Sequence, residues 1–209
     1  MGAVQRSLTL DAIEELARQR VLPVLRCADA EDTIATARAA GAAGCRVVEV
    51  TMSTPGAEAA IEPLVADGLV VAVGTVRHAA DVPRLAEAGA SLVVSFWNPP
   101  GFVAAAAAAD IPAIPGGFTT HELAAAHADG AAAVKLFPAS LAGPAYLAAL
   151  RPLLPELRLL VTGGIAADGV GEWLEAGALA VGLGSNLGTA ATVGADEVER
   201  RCRTALAAA

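Results

Sequence analysis

A chain of 209 residues has room for one large α/β domain or two small ones, and a 55% hydrophobic share supplies a sizeable core although only 3% of residues are aromatic. The net charge of −8, with no basic block, argues against nucleic acid as a partner. Cys27, Cys45 and Cys202, with His78, His121 and His127, fall at no metal-ligand spacing, so neither a metal nor a cofactor is expected, and the expected compartment is a reducing cytoplasm.

Met1 to Arg20 is charged and helix-like, unlike a signal peptide. A helix over about residues 8–18 is predicted there, ahead of the first strand. One pattern then repeats: a short β-branched run, a turn rich in Gly, Pro, Ser and Thr, and an alanine-rich helical segment. The candidate strands are Val21–Arg26, Val47–Thr51, Val70–Thr75, Leu92–Phe96, Ile111–Pro115, Ala132–Phe137, Arg158–Thr162 and Leu179–Leu183. They recur every ~20–26 residues, the length of one βα unit with short connections. Helical patterns such as Glu31–Ala42, Ala79–Ala88, Thr120–Ala128 and Gly169–Ala176 lie between them, with Gly44, Gly89, Gly130 and Gly177 as stops. The uncharged stretch from Ala88 to Ala109 is broken by Asn98-Pro99-Pro100-Gly101, so strand, turn and helix fit it better than a membrane span. Eight such units predict one (β/α)8 TIM barrel over residues 1–209 with an extra N-terminal helix. An open doubly wound sheet would want a Gly-x-Gly-x-x-Gly turn after its first strand, and there is none.

Barrels of this type work at the C-terminal ends of their strands. Polar residues stand at those ends: Arg26, Glu49 with Thr51, Thr75, Ser95, Lys135, Thr162 with Gly163-Gly164, and Gly184-Ser185. Lys135 is the only lysine, set in the apolar run Ala132-Ala133-Val134-Lys135-Leu136-Phe137-Pro138, whereas the other 13 basic residues of the 14 are arginines. Arginine does nearly all that a surface lysine does but does not give up its proton to become a nucleophile. A lysine kept inside a strand therefore points to an amine that attacks a carbonyl to form a Schiff base. The bland alternative is a lysine whose tip snorkels to solvent. The two-residue strand period puts Ala133, Lys135 and Phe137 on one face, and Val47, Glu49 and Thr51 on one face of their own strand. Glu49 and Lys135 should then both point into the barrel mouth. Burial disfavours the charged form of an amine. An iminium formed from it is an electron sink, and each step moves a proton that a carboxylate can carry. Glu49 is the candidate, or else a structural ion pair with Lys135 or Arg26. Thr162-Gly163-Gly164 and Gly182-Leu183-Gly184-Ser185-Asn186 end the seventh and eighth strands, where barrels bind phosphate through backbone N–H groups and a helix N-terminus. Arg26, on the neighbouring first strand, is placed to add a charge.

Val48-Glu49-Val50-Thr51, Val73-Gly74-Thr75-Val76, Ile114-Pro115-Gly116, Val134-Lys135-Leu136-Phe137-Pro138-Ala139, Thr162-Gly163-Gly164-Ile165 and Gly182-Leu183-Gly184-Ser185 occur in this order. Together they resemble the class I 2-keto-3-deoxy-6-phosphogluconate (KDPG) / 4-hydroxy-2-oxoglutarate (KHG) aldolases, from about Leu22 to Leu187. The resemblance implies that Lys135 forms the Schiff base with the pyruvate half and that Glu49 shuttles the proton. It implies that Thr75 and Thr162 line the pyruvate and hydroxyl pocket, that Gly163-Gly164 and Gly184-Ser185 hold the phosphate, and that the protein is a homotrimer. Phe137-Pro138-Ala139-Ser140 with Gly143-Pro144 is also similar to the galactonate-type branch. The chain departs from the pattern at Ser53, where some members carry arginine, and Arg26 of Val24-Leu25-Arg26 is the expected substitute. It departs again after Ser95, where the family's usual proline is replaced by Phe96-Trp97-Asn98. Phe96 and Trp97 therefore become candidates for aldehyde-side specificity, and strand parity would set them on opposite faces. The expected reaction is cleavage of 2-keto-3-deoxy-6-phosphogluconate to pyruvate and glyceraldehyde 3-phosphate. Its alternatives are the same chemistry on 4-hydroxy-2-oxoglutarate or the phosphogalactonate epimer, a phosphosugar isomerase or epimerase, and a non-catalytic phosphate-binding barrel.

Overall fold

The computed structural model describes residues 12–209. Helix α1 (12–19) leads into β1 (Val21–Leu25), α2 (Ala30–Ala42), β2 (Val47–Thr51), α3 (Ile61–Ala66), β3 (Val70–Gly74), α4 (Val82–Glu87), β4 (Leu92–Val94) and α5 (Phe102–Ala108). The second half runs β5 (Ala113–Ile114), β6 (Gly116–Gly117), α6 (Thr120–Ala128), β7 (Val134–Leu136), α7 (Ala139–Ala142), α8 (Pro144–Leu150), β8 (Leu159–Thr162), α9 (Val170–Glu175), β9 (Ala180–Leu183), α10 (Ala190–Val193) and α11 (Ala195–Ala207). All strand pairs are parallel, and β1 pairs with β9 as well as with β2. The fold is a TIM barrel, as the strand spacing requires.

The nine segments make eight barrel positions. β5 and β6 are two halves of one strand around Pro115, with β5 in register against β4 and β6 against β7. Backbone bonds cross the break on both sides: Ser95 N–H to the Ile114 carbonyl at 2.9 Å, Gly116 N–H to Trp97 at 2.9 Å, and Lys135 N–H to Pro115 at 2.8 Å. Proline has no N–H to offer, so it interrupts the ladder without ending it. The strand predicted over Ile111–Pro115 thus begins and ends later. It reaches Gly117 because a Cβ at Gly116 would overlap the Phe96 backbone, and glycine alone lets the two chains approach so closely. The fourth strand is shorter than expected and stops at Val94.

Two apolar layers follow from strand period. Leu22, Val47, Ala72, Leu92, Ile114, Ala133 and Leu160 fill the barrel, while Val48, Val50, Val134 and Leu136 pack outward under the helices. Ala12, Ile13 and Leu16 of α1 join the inner layer, so the extra helix plugs the bottom of the barrel. Gln19 fastens that plug. Its Nε2 donates to the Val21 and Val47 carbonyls at 2.6 and 2.8 Å, and its Oε1 accepts from the Arg46 and Val47 N–H groups at 2.5 and 2.9 Å. The helix is seen over 12–19, and its expected start at residue 8 lies outside the described residues. The expected stops Gly44, Gly89, Gly130 and Gly177 all adopt positive φ, between 93° and 108°. Cys27, Cys45 and Cys202 are free and buried. No helix among the described residues is long and apolar enough to cross a membrane.

Candidate active site

Helix α1 covers the bottom of the barrel, and the site lies at the opposite end, at the strand C-termini. A cavity of about 290 Å³ opens there, lined by Arg26, Lys135, Thr162, Gly163, Gly164, Gly184 and Ser185, all expected from the sequence. It also takes in Asn186, the last residue of the expected Gly182-Leu183-Gly184-Ser185-Asn186 turn, and Val24, Phe137, Ile165, Gly188, Thr189 and Thr192, which were not named as site residues. Thr189 and Thr192 arrive only because the chain folds back after β9, which no local signal announces.

Lys135 sits in the middle of β7 with Gly116 and Leu160 as register partners. It is 5% exposed, so its tip does not snorkel to solvent. Its Nζ lies 3.5 Å from Oε1 of Glu49, which is fully buried in β2. Neither carboxyl oxygen of Glu49 has a hydrogen-bond partner among the described residues. A buried carboxylate without hydrogen bonds is costly, and structures keep such groups mainly where chemistry uses them. The ammonium beside it offsets part of that cost. Glu49 does not line the cavity; it stands behind Lys135, shielded from water. Room for it comes from Gly74 on β3, where a Cβ would overlap the Glu49 carboxyl. Gly74 makes room for the pair and was not among the expected site residues, although a glycine inside a strand often marks such a close approach.

Thr162 shares the inward face of β8 with Leu160 and is buried at the cavity wall. Gly182, its register partner on β9, leaves space for it: a Cβ there would come within 2.6 Å of Thr162 Cγ2. Gly163 and Gly164 take φ of 102° and 78°, and side chains at both would run into Phe137 and Ser140. The N–H groups of Gly164, Ser185 and Asn186 make no hydrogen bond among the described residues. Arg26 is exposed at the rim and has no carboxylate partner among them. A cation, three open N–H groups and glycine backbone together suit a phosphate group. The helix N-terminus expected beside them is not open. The Ala190 and Ala191 N–H groups at the start of α10 already donate, at 2.8 Å each, to Thr36 Oγ1 and Asp32 Oδ1.

The remaining candidates lie elsewhere. Thr51 is fully buried and its hydroxyl donates to the Leu25 carbonyl at 2.8 Å, tying β2 to β1. Ser53 is exposed and its hydroxyl turns back to Thr51 Oγ1 at 3.3 Å. Thr75 is half-buried at the bend after β3 with φ of 59°, a strained region for a β-branched residue, and does not line the cavity. Ser95 gives its hydroxyl to the Val76 carbonyl at 2.7 Å. Phe96 and Trp97, 40% and 43% exposed, line a separate open hollow with Phe118 and His121. Both rings serve the same hollow because β4 has ended and the two-residue alternation no longer applies. Phe137 is shared between that hollow and the cavity of Lys135. Among the described residues no three His, Cys, Asp or Glu side chains are grouped to hold a metal ion.

Residues 12–203 match the family model described as KDPG and KHG aldolase. A 2-dehydro-3-deoxy-phosphogluconate aldolase of Treponema pallidum is 37% identical over 165 residues, covering 77% of this chain and 78% of that protein. A probable 2-dehydro-3-deoxy-6-phosphogalactonate aldolase of Rhizobium meliloti is 35% identical over 148 residues, 69% of this chain and 70% of that protein. A crystal structure of KDPG aldolase from Legionella pneumophila, with pyruvate captured as a covalent carbinolamine, superposes with a TM-score of 0.84 at 27% identity, covering 93% and 97% of the two chains.

Proposed function

This chain belongs to the KDPG and KHG aldolase family, and from that premise we propose that it is a Schiff-base enzyme cleaving 2-keto-3-deoxy-6-phosphogluconate to pyruvate and glyceraldehyde 3-phosphate. The carbon–carbon lyase class follows from the family, which sets aside an isomerase, an epimerase or a non-catalytic barrel. The observation that carries the finer reading is the buried pair of Lys135 and Glu49, 3.5 Å apart, whose lysine lines the same cavity as the glycine turns after β8 and β9.

The neutral amine of Lys135 attacks C2 of the keto acid to give a carbinolamine, and loss of water gives the iminium. The C3–C4 bond then breaks as its electrons flow into the iminium, leaving an enamine. Glu49, which does not itself line the cavity, takes up the proton of the C4 hydroxyl through a water that enters with the substrate, and later returns a proton to C3. Water attacks the pyruvate iminium and frees Lys135. Thr162, which lines the same cavity as Lys135, orients the pyruvate carboxylate or hydroxyl. Gly163, Gly164, Gly184 and Ser185 with Arg26 hold the phosphate, which stretches the substrate across the mouth so that C2 meets Lys135.

A second reading, the phosphogalactonate epimer, draws on the similarity to the Rhizobium meliloti protein and on the uncharged Ser53. Cleavage assays on both C4 epimers separate the two. The reading also carries a cytoplasmic homotrimer, supported by the exposed aromatic rings of Phe96, Trp97 and Phe118, which suit contact with a second copy.

Incubation with pyruvate and borohydride tests the chemistry. The expected result is covalent addition of a pyruvate unit at Lys135, and none in Lys135→Arg, which should stay folded and lose turnover. An active arginine variant, or a wild type that resists trapping, would overturn the reading.

A further inference from the structure

The loop that runs from β9 to α10, residues 184–189, carries the open N–H groups of Ser185 and Asn186, yet its position is decided by residues some 150 positions earlier. Asp32 and Thr36 stand one turn apart on α2, and both are buried. Asp32 Oδ1 accepts from Ala191 N–H at 2.8 Å, and Oδ2 accepts from Ala28 N–H at 3.1 Å. Thr36 Oγ1 accepts from Ala190 N–H at 2.8 Å and donates to Asp32 Oδ1 at 3.3 Å. Ala190 and Ala191 follow directly on Thr189 in the cavity wall. On the other side, Arg201 of α11 donates to the carbonyls of Asn186 and Leu187 at 3.0 and 3.2 Å and is held by Glu197 at 2.7 Å. The loop is thus pinned at its far end by α2 and along its back by α11, while the N–H groups of its cavity-lining residues Ser185 and Asn186 keep no partner among the described residues.

Neither Asp32 nor Thr36 lines the cavity. A carboxylate facing a bound phosphate would repel it. Here the charge is absorbed by backbone N–H groups and a hydroxyl instead, so its contribution is geometric. Burial alone would push the Asp32 carboxyl up, but the N–H groups of Ala191 and Ala28 and the Thr189 and Thr36 hydroxyls pull it below the usual carboxylate range.

We propose that Asp32 and Thr36 are positioning residues for the phosphate end of the substrate: by fixing the start of α10 they aim the Ser185 and Asn186 N–H groups, and so set phosphate affinity without touching the ligand. The proposal rests on the phosphate reading given above. Misaiming a hydrogen bond to a charged group weakens binding by roughly three- to tenfold.

The test uses Thr36→Val, which keeps shape and removes the acceptor, Thr36→Ser, which keeps it, and Asp32→Asn. Three quantities are measured: the dissociation constant of inorganic phosphate by calorimetry, KM for phosphorylated substrate and for its unphosphorylated analogue, and exchange of pyruvate methyl protons with solvent. Thr36→Val and Asp32→Asn should weaken phosphate and raise KM for the phosphorylated substrate by about three- to tenfold. The analogue and the proton exchange should be unaffected, and Thr36→Ser should behave as wild type. If Asp32→Asn does not fold, the two Thr36 variants decide. Unchanged phosphate affinity in Thr36→Val, or equal losses on both substrates, overturns the positioning role. A wild type that neither binds phosphate nor prefers the phosphorylated substrate overturns the phosphate reading itself, and the positioning role with it.

Discussion

Glu49 depends on an absent atom. Its carboxyl occupies the space that a side chain at residue 74 would fill, so Gly74 is as necessary to the pair as either charged partner. Glu49→Gln keeps the shape and removes the proton carrier. Turnover should fall by about 10²–10⁴-fold, the usual worth of a positioned acid–base group, while borohydride trapping of pyruvate persists. Gly74→Ala should produce a fall of about the same order by displacing the carboxyl, with the circular dichroism spectrum retained. If Gly74→Ala turns over normally, the carboxyl position is not critical. Lys135 and Glu49 were legible from residue type and strand parity alone. Their 3.5 Å approach was not, because it depends on the curvature that brings β2 and β7 together across the barrel.

At the scale of elements, the most informative strand is the broken one, Ala113–Gly117. Its first half pairs with β4, its second with β7, and through it the sheet becomes a closed barrel. Gly116→Ala puts a Cβ into the Phe96 backbone and must push the two strands apart. Overpacking of this kind costs about 1–3 kcal/mol. For a chain of this size that lowers Tm by roughly 2–4 °C per kcal/mol, which a thermal melt would read. A variant as stable as wild type would mean that the closure tolerates a wider gap. The sequence reading misjudged this strand because it followed hydrophobic pattern, and Pro115 and the two glycines have none to follow.

For the whole molecule, the aromatic hollow and the acid behaviour belong together, since both concern surfaces and buried charge outside the catalytic pair. If Phe96, Trp97 and Phe118 meet a second copy, then Phe118→Arg should shift the protein toward monomer in light scattering; an unchanged mass would place the contact elsewhere. Asp32 provides a pH signature. Its carboxyl is lower in the folded state than in the unfolded chain, so its stabilising contribution is complete above the unfolded value of ~3.9 and is lost as pH falls through the folded value. Denaturant melts between about pH 6 and pH 3 should show wild type losing more stability than Asp32→Asn, whose amide does not titrate over that range. Glu197, which holds Arg201 behind the same loop, is lowered to about 2 by its bonds to Arg200 and Arg201. That brace therefore outlasts Asp32 only if the folded value of Asp32 lies higher, and equal acid sensitivity of both struts would show that it does not.

The repeat of β-branched runs and alanine-rich helices determined the barrel from the sequence alone, because strand period and unit length are local properties. The solitary lysine and the glycine turns after the last two strands pointed from the sequence to the chemistry proposed above, because each needs only residue type and a place at a strand end. Tertiary structure decided three further things. It gave α1 its role as plug, since that depends on where a helix finds an open end to cover. It turned the hydroxyls of Thr51 and Ser95 to backbone carbonyls of the neighbouring units and that of Ser53 back to Thr51, since a hydroxyl goes to whichever carbonyl or hydroxyl the packing brings near. It also brought Asp32 and Thr36 to the start of α10, a juxtaposition of residues more than 150 positions apart that only closure of the ring makes possible.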